Sequence, residues 1–167
     1  MKKLNYCSSC GNKNTFSEID GRKRFHCKKC NTIHYQNPKP TATLICPQNN
    51  KILLVKRAFE PAIGTWSLPG GFLELNETLN EGATRELKEE TKLKGEMIKL
   101  LGNCSYFNSI FGDILLLGVL MKINRWDNME CGDDASDAKL FEINDCPKLA
   151  FECHEKILNI YKSNYIK

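Results

Sequence analysis

The sequence predicts an α/β protein built from two units, a small four-cysteine zinc ribbon and a larger core of strands and helices. Three observations predict this fold class: two closely spaced cysteine pairs near the N-terminus, several apolar runs of strand length, and two segments with apolar residues at helical spacing. A chain of 167 residues with 41 % hydrophobic content can build one core of ordinary size and a small metal-stabilised appendage.

The first unit is predicted from its cysteines. Two Cys-x2-Cys pairs enclose sixteen residues: Cys7, Cys10, Cys27 and Cys30. This is the spacing of a four-thiolate zinc site, and because four thiolates fill the tetrahedron we interpret the zinc as structural rather than catalytic. Disulfides and buried free thiols are alternatives, but neither requires paired two-residue spacing. Gly11 and Asn31 follow the two pairs and suit the tight turns of a metal knuckle.

A hairpin is predicted between the cysteine pairs. Asp20-Gly21 is a type I′ turn signal with residues 16–19 and 22–26 as its arms. The Asn-Pro-Lys-Pro segment at 37–40 then predicts an extended connection, because each proline disfavours helix before it. We therefore expect a zinc ribbon over residues 1–36 and a second unit over residues 37–167.

The second unit contains strand patterns and one C-terminal helix. Apolar runs predict strands at residues 41–46, 52–57, 98–107, 114–123 and 139–143. Apolar residues at helical spacing predict an amphipathic helix over residues 151–161. We interpret His154 as a residue of this helix that touches the core.

A second helix carries acids in an unusual pattern. It is predicted to start at Thr78, where Glu81 completes a capping box. Glu86, Glu89 and Glu90 stand at i, i+3 and i+4, so their side chains converge and repel one another unless a cation lies between them. A solvated face with lysine and arginine partners is the alternative.

The residues before this helix favour the metal site. Gly70-Gly71 follows a proline and specifies a backbone path that an ordinary solvent-facing helix does not require. Gly82 lies one turn before Glu86, and we expect its missing side chain to leave room for a bulky ligand.

From Gly71 to Leu93 the chain reads Gly, five residues, Glu, seven residues, and Arg-Glu-Leu-x-Glu-Glu, which resembles the Nudix box. Lys92 stands where that family has a glycine that ends the helix in a left-handed conformation. We therefore expect local strain of roughly 1 kcal/mol at Lys92.

The resemblance implies hydrolysis of a nucleoside diphosphate linked to another group, with Mg²⁺ or Mn²⁺ held by glutamates of the box. It implies that Glu86 and Glu90 are the principal ligands and that Glu89 is a further ligand or the general base. It also implies that Glu77 is an outer or second-metal ligand and that the Gly71 carbonyl is a ligand.

Two assignments around the box stay open. Arg85 is expected to orient the glutamates through ion pairs, with direct phosphate contact as the alternative. Some family members take the general base from a loop beyond the box. The acids Glu130, Asp133, Asp134 and Asp137 offer such a loop here, although a solvated surface turn is the favoured interpretation.

The likeness extends to nearly the whole chain. The connection at 37–40, the segment ending at Arg57, the Gly64-Thr-Trp66 segment and the ending at His154 resemble Nudix proteins with an N-terminal zinc ribbon. That group includes NADH pyrophosphatases and relatives acting on FAD or ADP-ribose. The resemblance implies an α/β/α sandwich with a mixed sheet, preceded by the ribbon.

The substrate is less well specified. NADH pyrophosphatases carry Ser-Gln-Pro-Trp-Pro-Phe-Pro after the box, whereas residues 105–111 of this chain read Ser-Tyr-Phe-Asn-Ser-Ile-Phe. The aromatic residues of this segment are as well suited to a strand core as to stacking on a base. The residues that we expect to contact substrate are Arg57, Trp66, Tyr106, Phe107 and Phe111.

By analogy with the ribbon-bearing relatives, we expect ADP-ribose, FAD or an NAD(H)-like dinucleotide as substrate. One alternative function is a nucleoside triphosphate pyrophosphohydrolase. Another is a non-catalytic regulator that binds nucleotide or RNA through the same fold and a basic ribbon. The full carboxylate set favours an enzyme.

Charge and hydropathy bound the partners. Residues 1–40 contain nine lysines and arginines against two acids, in a chain of formal net charge +4. Basic residues on a small ribbon are more often solvating than nucleic-acid binding, so we expect no nucleic-acid partner. With nine cysteines, no signal peptide and no apolar run of membrane-spanning length, we expect a cytoplasmic protein. Related proteins often dimerise, so a homodimer is one expected state, although no residue decides it.

Overall fold

The computed structural model describes residues 4–132 and 134–165. The chain divides into two compact units between Pro38 and Lys39, two residues after the boundary expected from the sequence. Among the described residues, no helix is both long enough and apolar enough to cross a membrane.

The first unit is a three-stranded antiparallel sheet. Its strands are β1 (Thr15–Ile19), β2 (Arg22–His26) and β3 (Ile33–His34), in the order β1-β2-β3. Asp20 and Gly21 both have positive φ, as a type I′ turn requires, so the predicted hairpin is confirmed. Gly11 and Asn31 are also left-handed, which matches the tight turns expected after each cysteine pair.

The second unit contains eight strands and two helices within the described residues. The strands are β4 (Lys39–Ile45), β5 (Pro47–Gln48), β6 (Lys51–Arg57), β7 (Trp66–Ser67), β8 (Gly70–Phe72), β9 (Gly95–Ser109), β10 (Gly112–Ile123) and β11 (Ala135–Glu142). The helices are α1 (Leu79–Thr91) and α2 (Glu152–Tyr165).

The strands of this unit form two sheets. One is mixed, in the order β8-β4-β10-β9, with β4 and β10 parallel and the other neighbours antiparallel. The other is antiparallel, in the order β11-β6-β5, with β7 also paired to β6. The mixed sheet is confirmed, whereas the division into two sheets was not expected from the sequence.

Alternate residues of β4 and β6 enter two different apolar clusters. The cluster that contains α1 takes Ala42, Leu44 and Leu53 from these strands. The cluster that contains α2 takes Ile45, Ile52 and Leu54. Because strand side chains alternate between faces, the two helices cover opposite sides of the strands, which is the expected α/β/α sandwich.

Both ends of α1 follow the predicted pattern. The Thr78 hydroxyl accepts a hydrogen bond from the Glu81 N–H, and the Glu81 carboxylate accepts one from the Thr78 N–H, which completes the capping box. At the other end Lys92 is left-handed with φ of 59°, and its N–H donates to the Lys88 carbonyl. A lysine therefore occupies the conformation that favours glycine.

Candidate active site

Arg85 lies at the centre of the acidic residues of α1. Its Nε and one terminal nitrogen donate to both oxygens of Glu77, at 3.1 and 2.8 Å. Its other terminal nitrogen donates to Glu86 and Glu89, both at 2.8 Å. The remaining donor contacts the Phe72 carbonyl at 2.9 Å. Since a guanidinium has five N–H donors, Arg85 has none left for a phosphate, and of the two assignments left open the geometry favours the orienting one.

The surroundings of Glu77 keep it ionised. The hydrogen bonds from Arg85, together with one from the Glu74 N–H at 2.6 Å, lower the pKa of Glu77 to about 2. Glu77 and the other three glutamates carry up to four negative charges beside the single positive charge of Arg85. The cluster therefore has an excess of negative charge.

Glu86 and Glu90 are the more buried acids on the inner side of this cluster. The Glu86 side chain is only 12 % exposed, and burial raises its pKa. Burial, with smaller contributions from the charges of Glu86 and Asp134, raises the pKa of Glu90 to about 8. Among the described residues, its carboxylate accepts one hydrogen bond, from the Gly70 N–H at 2.8 Å. Two carboxylates in such surroundings are stabilised as anions by a cation placed between them.

Gly70 and Gly71 permit a close approach of strand and helix. They belong to β8, where they pair with Thr43 and Ala42 of β4. A side chain at Gly70, whose φ is +133°, would meet the Ala42 carbonyl, and a Cβ at Gly71 would lie 2.6 Å from Glu86 Oε1. The missing side chain of Gly70 thus allows β8 to pair closely with β4, and that of Gly71 leaves space for the Glu86 carboxylate.

Gly82 has a different role from the one expected. A Cβ there would overlap the Leu73 side chain and lie 2.8 Å from Glu77 Oε1, so the space is filled by side chains of the protein. The expectation that Gly82 leaves room for a bulky ligand is therefore wrong. Its missing side chain instead lets Glu77 reach Arg85.

The loop before β11 packs against the end of α1. The Gly132 N–H donates to the Glu90 carbonyl at 2.8 Å, and the Glu130 N–H donates to the Thr91 carbonyl at 3.0 Å. A Cβ at Gly132 would overlap the Glu89 carbonyl, so this loop is not simply a solvated turn. Asp134 lines the same cleft as the glutamates, whereas Asp137 pairs with Lys139 and Asp133 lies outside the described residues.

Two adjoining spaces meet at β8. The glutamate cleft, of about 430 Å³, is lined by Glu86, Glu89, Glu90, Arg85 and Asp134 among others. The aromatic cavity, of about 340 Å³, is lined by Phe72, Tyr106, Phe111, Phe151 and His154 among others. Both spaces are lined by Arg57, Ser67, Gly70, Gly71 and Phe72. A ligand can therefore extend from one space into the other.

Three of the expected substrate contacts line the aromatic cavity, namely Arg57, Tyr106 and Phe111. Trp66 instead packs edge-on against Phe141 with ring centroids 4.7 Å apart. Phe107 is 64 % exposed and lines neither space.

The sequence interpretation missed Phe72, Phe151 and His154 as cavity residues. Phe151 and His154 gave a signal, since their spacing of three within the predicted helix over residues 151–161 puts both on one face. In the structure Phe151 lies immediately before α2, and its carbonyl accepts a hydrogen bond from the His154 N–H. That signal alone could not show which space the face adjoins.

The four cysteines of the first unit also come together. Their sulfur atoms all lie within 4.8 Å of one another. The contacts between Cys7 and Cys30 and between Cys10 and Cys27 measure 3.6 and 3.5 Å. This donor set fits one tetrahedral metal ion.

Comparisons with known proteins agree with this geometry. The NUDIX domain family model matches residues 38–159, and the model described as Nudix N-terminal matches residues 5–36. Among solved structures, a NUDIX hydrolase from Nitrosomonas europaea has a TM-score of 0.84 at 33 % identity, covering 97 % of this chain and 92 % of that one.

Two curated relatives carry functional names. An ADP-ribose pyrophosphatase of Methanocaldococcus jannaschii is 39 % identical over 128 residues, which is 76 % of this chain and 75 % of the relative. The NAD-capped RNA hydrolase NudC of Vibrio atlanticus is 26 % identical over 147 residues, which is 88 % of this chain. The match spans 52 % of that NudC protein, about half its length.

The contact between Gly71 and Glu86 is testable by stability. We expect Gly71→Ala to lower the free energy of unfolding by about 1 kcal/mol, because the new methyl group must move the terminal carboxylate of Glu86 away from Arg85. Urea denaturation measures the loss. In a Glu86→Ala background the same substitution should cost much less, since the contacting atoms are gone.

Gly102→Ala is the matched control for this substitution, because its methyl group would meet only the flexible end of Ile160 at 3.1 Å. Equal losses for Gly71→Ala with and without the Glu86 side chain would show that the carboxylate does not rest on Gly71.

Proposed function

The chain belongs to the Nudix family, and we propose that it is a metal-dependent hydrolase of the pyrophosphate bond in a nucleoside diphosphate linked to a second group. The observation that carries the proposal is the join between two spaces of opposite character. Four glutamates, three of them bound by Arg85, line or adjoin a cleft, and this cleft shares a wall with an aromatic cavity. A nucleotide has the same two parts, a charged phosphate chain and a flat base.

We infer that the glutamates hold Mg²⁺ or Mn²⁺, with Glu86 and Glu90 as principal ligands. The excess of negative charge and the burial of two carboxylates support this set. The Gly71 carbonyl is a further candidate, since Gly71 adjoins Glu86. A divalent cation bound there supplies charge neutralisation for the pyrophosphate and acidifies a water molecule.

The remaining groups have positioning roles in this proposal. Arg85 fixes the carboxylates of Glu77, Glu86 and Glu89 relative to one another. Glu77 binds Arg85 with both oxygens, so we assign it to the outer part of the site. These ion pairs hold the acids in place before substrate arrives, which is the preorganisation that catalysis by positioned charges requires.

Glu89 is our choice for the group that accepts the proton of the attacking water. Its side chain is 58 % exposed, and Arg85 binds only its Oε2, so Oε1 has no protein partner among the described residues. Asp134 is the second candidate, because it lines the cleft from the opposite loop.

We propose ADP-ribose as the first substrate to test, followed by FAD and NAD(H). The name of the M. jannaschii relative supports ADP-ribose. Residues 105–111 differ from the corresponding segment of NADH pyrophosphatases, and two of them, Tyr106 and Phe111, line the aromatic cavity. This difference gives no reason to favour NADH over ADP-ribose or FAD as substrate. NAD-capped RNA joins the panel because of the NudC relatives.

A substrate panel tests the reaction. We expect the wild-type protein to hydrolyse at least one of ADP-ribose, FAD, NAD(H) and NAD-capped RNA with Mg²⁺ or Mn²⁺, and to cleave it faster than nucleoside triphosphates. Glu90→Gln should lower kcat by about 100-fold or more, because it removes a charge from the proposed metal site. Chromatography of the two products measures both.

Glu96→Gln is the matched control, because Glu96 is an exposed glutamate of β9 that pairs with Lys122 of β10. It should leave kcat unchanged. The proposal fails if no compound is cleaved, or if Glu90→Gln is as active as Glu96→Gln.

We also propose that the four clustered cysteines bind a structural zinc ion. Their four sulfur atoms lie close enough together to bind one ion. Four thiolates complete a tetrahedral site and leave no position open for water or substrate. Such a site suits the reducing cytoplasm, where the thiols are not consumed by disulfides.

Elemental analysis tests the zinc site. Protein purified without chelators should contain about one zinc per chain, and Cys30→Ser should lose most of it, since three thiolates leave the tetrahedron open. Cys131→Ser changes an exposed cysteine outside the cluster and should keep the zinc. Wild-type protein without zinc, or equal zinc in both variants, would contradict the site.

A further inference from the structure

The outer edge of β9 is available for pairing. β9 is the last strand of the mixed sheet, and among the described residues no strand pairs with its other side. Alternate residues of such an edge strand direct their N–H and C=O groups away from the sheet, where a further strand can bind them. The register with β10 is regular from Gly102 to Tyr106 and shifts on either side. This regular segment is therefore the part of β9 that can pair with a further strand.

The edge lacks the residues with which proteins usually protect an unpaired strand. Residues 100–112 contain no lysine, no proline and no charged side chain of any kind, in a chain of which 26 % is charged. The register shifts of β9 lie outside the segment from Gly102 to Tyr106, so they do not interrupt it. A long edge without these features favours pairing with another chain.

Exposed apolar side chains are concentrated in the same part of the chain. Six of the thirteen large apolar side chains that are exposed among the described residues lie within residues 98–111. Three of the six, namely Ile98, Leu100 and Phe107, line neither the glutamate cleft nor the aromatic cavity. A ligand in those spaces does not cover them, so they indicate a contact with another protein surface.

One face of the regular segment is turned away from α2. Cys104 packs against the apolar cluster that contains α2, and Tyr106 contacts Phe151 just before that helix. Because side chains alternate along a strand, Ser105 and Phe107 point to the opposite face, where both are exposed. These two positions can therefore be changed without disturbing the packing of α2.

We propose that a second copy of this chain covers the edge, with the two β9 strands antiparallel about a two-fold axis near Ser105. Two identical edges are self-complementary in this arrangement, because the outward N–H and C=O groups of one copy meet the equivalent groups of the other. The uncharged edge lets two chains of net charge +4 meet without like charges facing each other. The two four-stranded mixed sheets become one continuous sheet.

Sedimentation velocity of the full-length protein, over roughly 1–100 µM, tests the interface. The wild type should form a dimer of twice the chain mass of 19.1 kDa. Its dissociation constant should be on the order of 1–10 µM, since pairing along one edge buries a small interface. The Ser105→Lys/Phe107→Lys variant brings like charges together at the axis and should raise that constant about 100-fold.

Two further variants control for charge and for folding. Ile63→Lys/Ser136→Lys replaces an exposed apolar side chain and an exposed serine outside β9 and β10, and it should dimerise like the wild type. Ser105→Glu/Phe107→Glu should be monomeric by itself. An equal mixture of this variant with the Ser105→Lys/Phe107→Lys variant should restore the dimer, because opposite charges then meet at the axis.

Hydrogen exchange tests the backbone pairing itself. In the wild type, amides of residues 102–106 that point away from β10 should exchange about tenfold more slowly at roughly 100 µM than at 1 µM, because the dimer protects them. In the Ser105→Lys/Phe107→Lys variant the exchange rate should not depend on concentration.

The inference does not depend on the proposed function, and hydrolysis of a substrate bears on none of these results. A wild-type protein that is monomeric throughout the dilution series overturns it. A dimer that survives the lysine substitutions, or one in which exchange at residues 102–106 is independent of concentration, also overturns it, because the contact would then lie elsewhere.

Discussion

The arrangement of the whole site depends on one arginine that organises several carboxylates. Arg85 uses its five donors on Glu77, Glu86, Glu89 and the Phe72 carbonyl, so it ties α1 to β8 as well as ordering the acids. One positive charge cannot balance these groups together with the buried Glu90. The missing side chains of Gly71 and Gly82 allow the acids to come this close. The site is therefore both rigid and short of positive charge, which is the condition for binding a cation.

We assign different roles to the two spaces that meet at β8. In the proposed function, the glutamate cleft provides the charge that acts on the pyrophosphate bond. The aromatic cavity has flat apolar walls and, among the described residues, two unpaired polar atoms, so we assign substrate binding to it. The two linings share Arg57, Ser67, Gly70, Gly71 and Phe72, but the Thr41 hydroxyl and His154 Nδ1 make no hydrogen bond to the box glutamates among the described residues. This separation is consistent with relatives that carry the same family fold and different substrate names.

The box could be recognised from the sequence because its geometry is local. Residues at i, i+3 and i+4 on a capped helix share a face whatever surrounds them, and the cap at Thr78 and the left-handed Lys92 were predictable for the same reason. The cavity could not be predicted, because Thr41, Phe72, Tyr106 and His154 come from four separate elements of the fold. The pairing of Gly70 and Gly71 with β4 could not be predicted either, because it joins residues far apart in the chain. This pairing places Gly71 against the Glu86 carboxylate. Trp66 was expected to contact substrate because the Gly64-Thr-Trp66 segment resembles related proteins. Its ring instead packs on Phe141. A sequence motif gives the position of a residue in the chain but not the side chains around it.

The central claim is that the glutamates of α1 form a divalent cation site. The most direct measurement is the melting temperature as a function of Mn²⁺ concentration, for the wild-type protein, for the Glu86→Gln/Glu90→Gln double variant, and for a Glu96→Gln/Glu142→Gln control. The wild type and the control should gain roughly 5–10 °C when Mn²⁺ reaches about 100 times the dissociation constant, because only the folded chain assembles the site. The double variant should gain almost nothing. An equal gain in all three proteins, or no gain in the wild type, would contradict the claim.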